Sequence, residues 1–263
     1  MGITIAVLTL GGAGLVCALI LVVADRFFAV HEDPRIETLT ALLPGVNCGA
    51  CGFGGCVEYA RALLAVVGAT PANLCPAGGA ETAHAVAAML GIEAGATDKK
   101  VALVLCGGDS ARAPRRFLYN GVADCAAAHA VGGGDKLCRH GCLGYGSCAR
   151  VCPAGAVEIT AGQLALVHAD LCIGCGACVK TCPRKLIRMI PAGRTIHVLC
   201  NSPEKGPAVK KACQVGCIGC TLCAKLAPEA IQMNGFLAAV DYARELDNQE
   251  VVDKCPTHCI VRR

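Results

Sequence analysis

The chain has 263 residues, of which 22 are cysteine, against 5 Phe, 4 Tyr and no Trp. That length allows two or three small domains and excludes a mini-protein, and a formal net charge of +4 gives no sign of a nucleic-acid partner. Aromatic side chains normally supply much of a core's buried area, so with so few of them the cysteines are expected to hold parts of the fold together.

A secreted disulfide scaffold is the ordinary meaning of many cysteines. Here they fall in tight C-x-x-C runs along a long chain, which suits thiolates converging on a metal or cluster better than structural disulfides.

From Ile3 to Ala24 there is no charged residue. At ~1.5 Å per residue such a helix crosses a hydrocarbon core. A signal peptide would carry a positive n-region, and only Met-Gly-Ile-Thr leads into this run. Arg26 and Arg35 follow it and no basic side chain precedes it, so the positive-inside rule predicts a single-pass anchor in the cell membrane with the rest of the chain cytoplasmic. Gly11, Gly12, Gly14 and Ala18 offer a small surface for close helix packing, as in one member of a larger assembly.

Next comes LLPGVNCGACGFGGC, then an alanine-rich helical stretch, Cys75-Pro76 and a second helix over residues 80–90. The apolar run Val101–Leu105 reads as a buried strand ending on Cys106. From Cys138 onward, cysteine runs alternate with short apolar segments. Cys138, Cys142 and Cys148 recur at one constant offset as Cys213, Cys217 and Cys223, and VALVLC ending at Cys106 resembles IHVLC ending at Cys200, so two related modules lie in tandem. The predicted class is α+β: a transmembrane anchor (1–26), a small helical 4Fe–4S domain (27–98), and tandem bacterial-ferredoxin-like modules (99–195 with two clusters, 196–263 with one).

Cys172, Cys175, Cys178 and Cys182-Pro183 form C-x2-C-x2-C-x3-C-P, the run of two-cluster ferredoxins, in which three thiolates hold one cluster and the fourth reaches the other. Gly174 and Gly176 let the backbone wrap closely round a cubane. The crossed rule assigns Cys152, which precedes Pro153, to Cys172, Cys175 and Cys178. The reciprocal cluster takes Cys182 with Cys142 and Cys148. Tyr145 stands at the expected middle ligand of that loop, and Cys138 is the natural replacement. A further cluster on Cys106, Cys125 and Cys138 would compete for the same thiol, giving five clusters rather than four.

In the second module Cys217, Cys220, Cys223 and Cys255-Pro256 make one complete set, whereas Ala227, Glu245, Asn248 and Val251 stand where a second set would be. One cluster is therefore expected to have been lost as a unit. Cys48, Cys51, Cys56 and Cys75 form C-x2-C-x4-C…C; zinc could use these thiolates, but the surrounding glycines favour a bulkier cubane. Cys200, Cys213 and Cys259 are left as small buried hydrophobes, and Cys17 as packing in the anchor. Arg184, Lys185 and Arg188 with Lys205, Lys210 and Lys211 are candidates for a basic face that docks an acidic redox partner.

The anchor, LLPGVNCGACGFGGC with Cys75, the CRHGCLGYGSC stretch and the closing CPTHCI together resemble the B-subunit family of the Rnf complex over essentially the whole chain. The resemblance implies an iron–sulfur electron-transfer subunit that accepts electrons from reduced soluble ferredoxin. It would relay them toward flavin-bearing membrane subunits that reduce NAD with coupled sodium or proton movement. It also puts the Cys48, Cys51, Cys56 and Cys75 cluster nearest the membrane. The chain shows no flavin site, so it would be part of a translocating oxidoreductase without a complete active site of its own, and no nucleic acid is expected. Two other readings are a polyferredoxin subunit of another membrane enzyme, such as a hydrogenase or formate dehydrogenase system, and a zinc-stabilised, membrane-anchored interaction module.

Overall fold

The computed structural model describes residues 2–28 and 33–263. Residues 29–32, at the junction expected between anchor and cluster domain, lie outside the described residues.

Helix α1 (Gly2–Phe28) is one apolar rod that runs past the expected boundary at residue 26. Its Val7–Phe28 stretch has a mean hydropathy of 2.6, and none of it is buried against the rest of the chain. Leu8, Leu10 and Leu21 are strongly exposed, a surface that suits lipid or a partner helix and not water. The glycine face is open: nothing lies within 4 Å of a Cβ built at Gly11, Gly12 or Gly14.

Helices α2 (Pro34–Leu42), α3 (Cys56–Ala65) and α4 (Gly79–Leu90) form a small helical unit. Helix α2 starts where the Asp33 carboxylate accepts from the Arg35 backbone N–H and Pro34 takes the first turn. Helix α4 stops at Gly91, whose φ of 68° is left-handed. Leu39, Tyr59, Leu63 and Val86 fill the space between the three helices. The Tyr59 hydroxyl donates to the Pro71 carbonyl at 2.7 Å, so its burial leaves no polar group unpaired.

The next two modules repeat one topology. The first runs β1 (Lys100–Val104), α5 (Cys125–Ala130), α6 (Ser147–Arg150), β2 (Val157–Ile159), β3 (Ala165–Val167), α7 (Ala177–Thr181) and β4 (Ile187–Pro191). The second runs β5 (Ile196–Val198), α8 (Gly206–Ala212), α9 (Leu222–Leu226), β6 (Ile231–Asn234), β7 (Leu237–Val240), α10 (Gln249–Asp253) and β8 (Ile260–Arg262). In each, the outer strands pair antiparallel, β1 with β4 and β5 with β8, and enclose an antiparallel hairpin, β2–β3 or β6–β7. Val101 faces Ile190 and Leu103 faces Arg188. Residues 101–104 are all buried, which is why β1 reads as an unbroken apolar run.

The modules are joined backbone to backbone. Gly107 N–H donates to the Leu199 carbonyl at 3.0 Å and Gln214 N–H to the Arg112 carbonyl at 2.9 Å. Leu199, from the second module, packs into the first module's core. The helical unit also reaches the first module: a Cβ on Gly174 would lie 2.7 Å from the Lys100 carbonyl oxygen and 3.6 Å from Pro76. The Cys75-Pro76 turn therefore sits beside the Cys172–Cys178 loop.

Truncating the fully buried Leu39 should loosen the helical unit alone. We expect Leu39→Ala to cost about 3 kcal/mol, read as faster amide hydrogen exchange in α2 and α3 with the β1–β4 amides unchanged.

Candidate iron–sulfur sites

The N-terminal loop is shaped by Asn47, which holds a left-handed φ of 50°. Its side-chain oxygen accepts from the Cys56 N–H at 2.8 Å at the start of α3. A Cβ on Gly55 would approach that oxygen to 2.9 Å, so a side chain there would push the Asn47 amide away from the Cys56 N–H. Burial raises the Cys75 thiol, and the Cys56 and Cys51 thiols beside it raise it further. Cys48 opens the same loop.

In the first module Cys178 is pushed up to about 11 by burial and then by Cys172, Cys175 and Cys152, its three neighbours. The Ala156 N–H donates to the Cys152 sulfur at 3.3 Å, and the Leu186 N–H donates to Cys182 at 3.4 Å in the same way. Both C-P turns thus present their sulfur in one geometry.

The reciprocal group departs from expectation. Cys142, Cys148 and Cys182 line a cavity of about 380 Å³ whose fourth thiol is Cys125, while Cys138 lies elsewhere. Tyr145, at the position of the missing loop cysteine, is engaged by other partners. Its hydroxyl donates to the fully buried Asp135 at 2.7 Å and accepts from Arg115 at 2.7 Å, and Arg115 is ion-paired with Asp135.

Cys125 reaches the cavity from the first turn of α5, fixed by a polar relay. Its N–H donates to the Ser147 hydroxyl at 2.7 Å, that hydroxyl donates to Asp124 at 2.7 Å, and Arg150 binds the same carboxylate at 2.8 Å. The Asp124 carboxyl is held down at about 2 by the Ser147 hydroxyl first, with the Ala127 and Ala126 amides and Arg150 adding to it.

Arg184 lines this cavity too, so it is no part of a basic surface; Lys185 and Arg188 remain exposed. Its Nη groups donate to backbone carbonyls of the surrounding loops, including that of Cys138 at 3.0 Å. Its Nε is buried with no partner among the described protein atoms, a donor of the kind that stabilises cluster sulfur.

In the second module Cys217, Cys220, Cys223 and Cys255 line a cavity of about 340 Å³, with Cys259 as a fifth thiol. Cys259 follows its C-P turn at the place Ala156 and Leu186 hold in the first module, and its sulfur lies 3.6 Å from that of Cys255. Its S–H lowers Cys217 and holds Cys255 at about 5, while its own pKa is pushed up. Cys220 is exposed. Where a second site would stand, Asn248 caps α10 by accepting from the Glu250 N–H at 3.0 Å, and Val251 is packed in the core.

The remaining thiols of the two modules are not scattered. Cys106, Cys138, Cys200 and Cys213 line a further cavity of about 350 Å³ between the modules. Cys17 stands exposed on α1. Among the described residues no three His, Cys, Asp or Glu side chains converge on a point suited to one bare metal ion.

Burial holds the Cys148 thiol at about 12 and those of Cys178, Cys200 and Cys223 at about 11, against an ordinary value of 9.0. Above pH ~9 the unfolded chain therefore sheds protons that the iron-free fold retains, and stability falls as pH rises toward ~11. The iron-free chain should melt lower at about pH 10.5 than at about pH 8 by circular dichroism; an unchanged Tm would contradict the burial of these thiols.

Comparison with known proteins agrees with this geometry. Residues 43–77 match a family model for an Fe-S cluster, and residues 135–190 match the 4Fe-4S dicluster domain. The chain is 40% identical over 95% of its length to the B-subunit of the Na(+)-translocating ferredoxin:NAD(+) oxidoreductase complex of Acetobacterium woodii, covering 75% of that protein. It is 40% identical over 94% of its length to the B-subunit of the proton-translocating ferredoxin:NAD(+) oxidoreductase complex of Clostridium ljungdahlii, covering 88% of it. The B-subunit of the ion-translocating oxidoreductase complex of Methanosarcina acetivorans is 38% identical over 97% of this chain and is itself covered to 96%.

Proposed function

The chain belongs to the B-subunit family of ion-translocating (Rnf) oxidoreductase complexes, and from that premise we propose that it accepts electrons from reduced soluble ferredoxin and passes them toward flavin-bearing membrane subunits that reduce NAD. The observation that carries this reading is the gathering of thiols from distant segments round common spaces: Cys125 and Cys182 with Cys142 and Cys148, and Cys152 with Cys172, Cys175 and Cys178.

Four ligand sets follow: Cys48, Cys51, Cys56 and Cys75; Cys152, Cys172, Cys175 and Cys178; Cys125, Cys142, Cys148 and Cys182; and Cys217, Cys220, Cys223 and Cys255. They lie in units of residues 27–98, 99–195 and 196–263 behind a single-pass anchor, on the cytoplasmic side. Bound 4Fe–4S clusters supply reversible one-electron transfer at each site. The chain's own groups fix the sulfurs, surround them with backbone amides and exclude water. Arg184 Nε–H, otherwise unpartnered, offers a charge-bearing hydrogen bond to the Cys125 and Cys142 site.

The exposed Cys220 marks the end at which a soluble donor approaches. Phe236 is half exposed against the same loop with the Lys205 ammonium 5.7 Å above its ring, and Lys225 is exposed on α9. An acidic ferredoxin suits this face. The rate of reduction by ferredoxin should fall by about an order of magnitude between low salt and about 0.5 M, and a salt-independent rate would remove docking from this surface.

The proposal is tested on the chain purified without oxygen. Iron and sulfide should be present at four or more cubanes per chain, with EPR signals after dithionite reduction. Cys125→Ser should remove about four irons, one cubane, whereas a control Cys17→Ser should remove none. Zinc in place of iron would leave the anchored interaction module as the surviving reading.

A further inference from the structure

We propose that Cys106, Cys138, Cys200 and Cys213 bind a further 4Fe–4S cluster at the joint between the two modules, so that the chain carries five. The proposal rests on the iron–sulfur reading above and adds a ligand set that lies within neither module alone. Each module supplies two thiols. Cys106 and Cys200 follow the equivalent strands β1 and β5, and Cys138 and Cys213 are related by the internal repeat. The cavity they line, about 350 Å³, matches the 380 and 340 Å³ of the two cavities built on recognisable cluster loops.

Glycines keep the space open at the sulfurs. A Cβ on Gly141 would lie 3.4 Å from the Cys138 sulfur and 3.7 Å from that of Cys106, and a Cβ on Gly108 would lie 2.9 Å from the Cys213 sulfur. The frame is fixed by the two inter-module backbone bonds, Gly107 to Leu199 and Gln214 to Arg112. His140, at the rim, lies 3.6 Å from Glu204, which leaves the four thiols as the donor set. The ordinary role of a buried cysteine is that of a small hydrophobe. Close-packed interiors do not arrange four small side chains from four segments round such a space.

The location gives the site a use. The Cys142 N–H donates to the Cys106 sulfur at 3.3 Å, so the joint abuts the Cys125 and Cys142 site. On the other side Gly216 lines the joint and Cys217, next in the chain, lines the second module's cavity, so the joint abuts the site near the exposed Cys220. A cluster here stands between the second module's single site and the first module's pair.

The test counts metal in the full chain, reconstituted or isolated without oxygen. The unaltered chain should hold about twenty irons, four per cubane. Cys200→Ser with Cys213→Ser should lower this by one fifth, with the reduced EPR spin count falling in the same proportion. Cys138→Ser, from the other module, should cause the same loss. About sixteen irons in the unaltered chain, or a double variant that keeps all its iron, overturns the proposal. So does one zinc per chain that the double variant loses. A serine variant that sheds more than one fifth has lost its fold, and the unaltered chain's count, about twenty or about sixteen, then decides. A chain with no iron at all overturns the proposed function instead.

Discussion

Thiols that must meet at one space come from segments far apart in the chain, and the rest of the cytoplasmic architecture follows from that requirement. The modules have strands of only three to five residues and cores in which cysteine and alanine make up about half of the buried residues. Such cores bury little apolar area for the chain they must order. A C-P turn from one half of a module closes the space formed by the other half, so a cluster bound there, as proposed, would act as a cross-link as well as a redox position, and metal affinity would become folding free energy. The pairing of β1 with β4, first strand with last, brings the two halves to the distance at which Cys152 and Cys182 can cross.

What was legible in the sequence is what local spacing determines. The C-x2-C-x2-C-x3-C-P run, the meeting of Cys152 with Cys172, Cys175 and Cys178, and the absence of cysteine at Ala227, Glu245, Asn248 and Val251 could be read from offsets alone. Cys125 could be named only as a ligand of a further cluster with Cys106 and Cys138, because its place beside Cys142 depends on a tertiary relay through Ser147, Asp124 and Arg150 and leaves no spacing signature. Tyr145 was readable as a departure, but the buried Asp135 and Arg115 that engage it were not. Arg184 shows the limit of charge patterning: in sequence it belongs to a basic run, yet in the fold it is buried among the carbonyls of the cluster loops. Cys259 read as a lone thiol because its proximity to Cys255 depends on the turn after Pro256.

The internal repeat gains a second meaning at the joint. Duplication of a module copies thiols that serve no site within the copy, and Cys200 and Cys213 serve none in the second module. Their counterparts Cys106 and Cys138 serve none in the first, where Cys125 completes the set. All four face each other across the surface where the Gly107 and Gln214 amides make backbone hydrogen bonds between the modules.

In the second module one set of four cysteines lines a cavity, and where a second set would stand Asn248 is a helix cap and Val251 is core. The module therefore has no second cluster of its own through which its exposed end could reach the first module. The joint stands against both the Cys217 and the Cys142 loops, and Pro76 of the helical unit stands against the Cys172–Cys178 loop at the far side of the first module. Exposed Cys220 at one end and the helical unit next to the anchor at the other thus bound a series of adjoining sites. A cluster at the joint, as proposed, would keep that series from breaking in the middle.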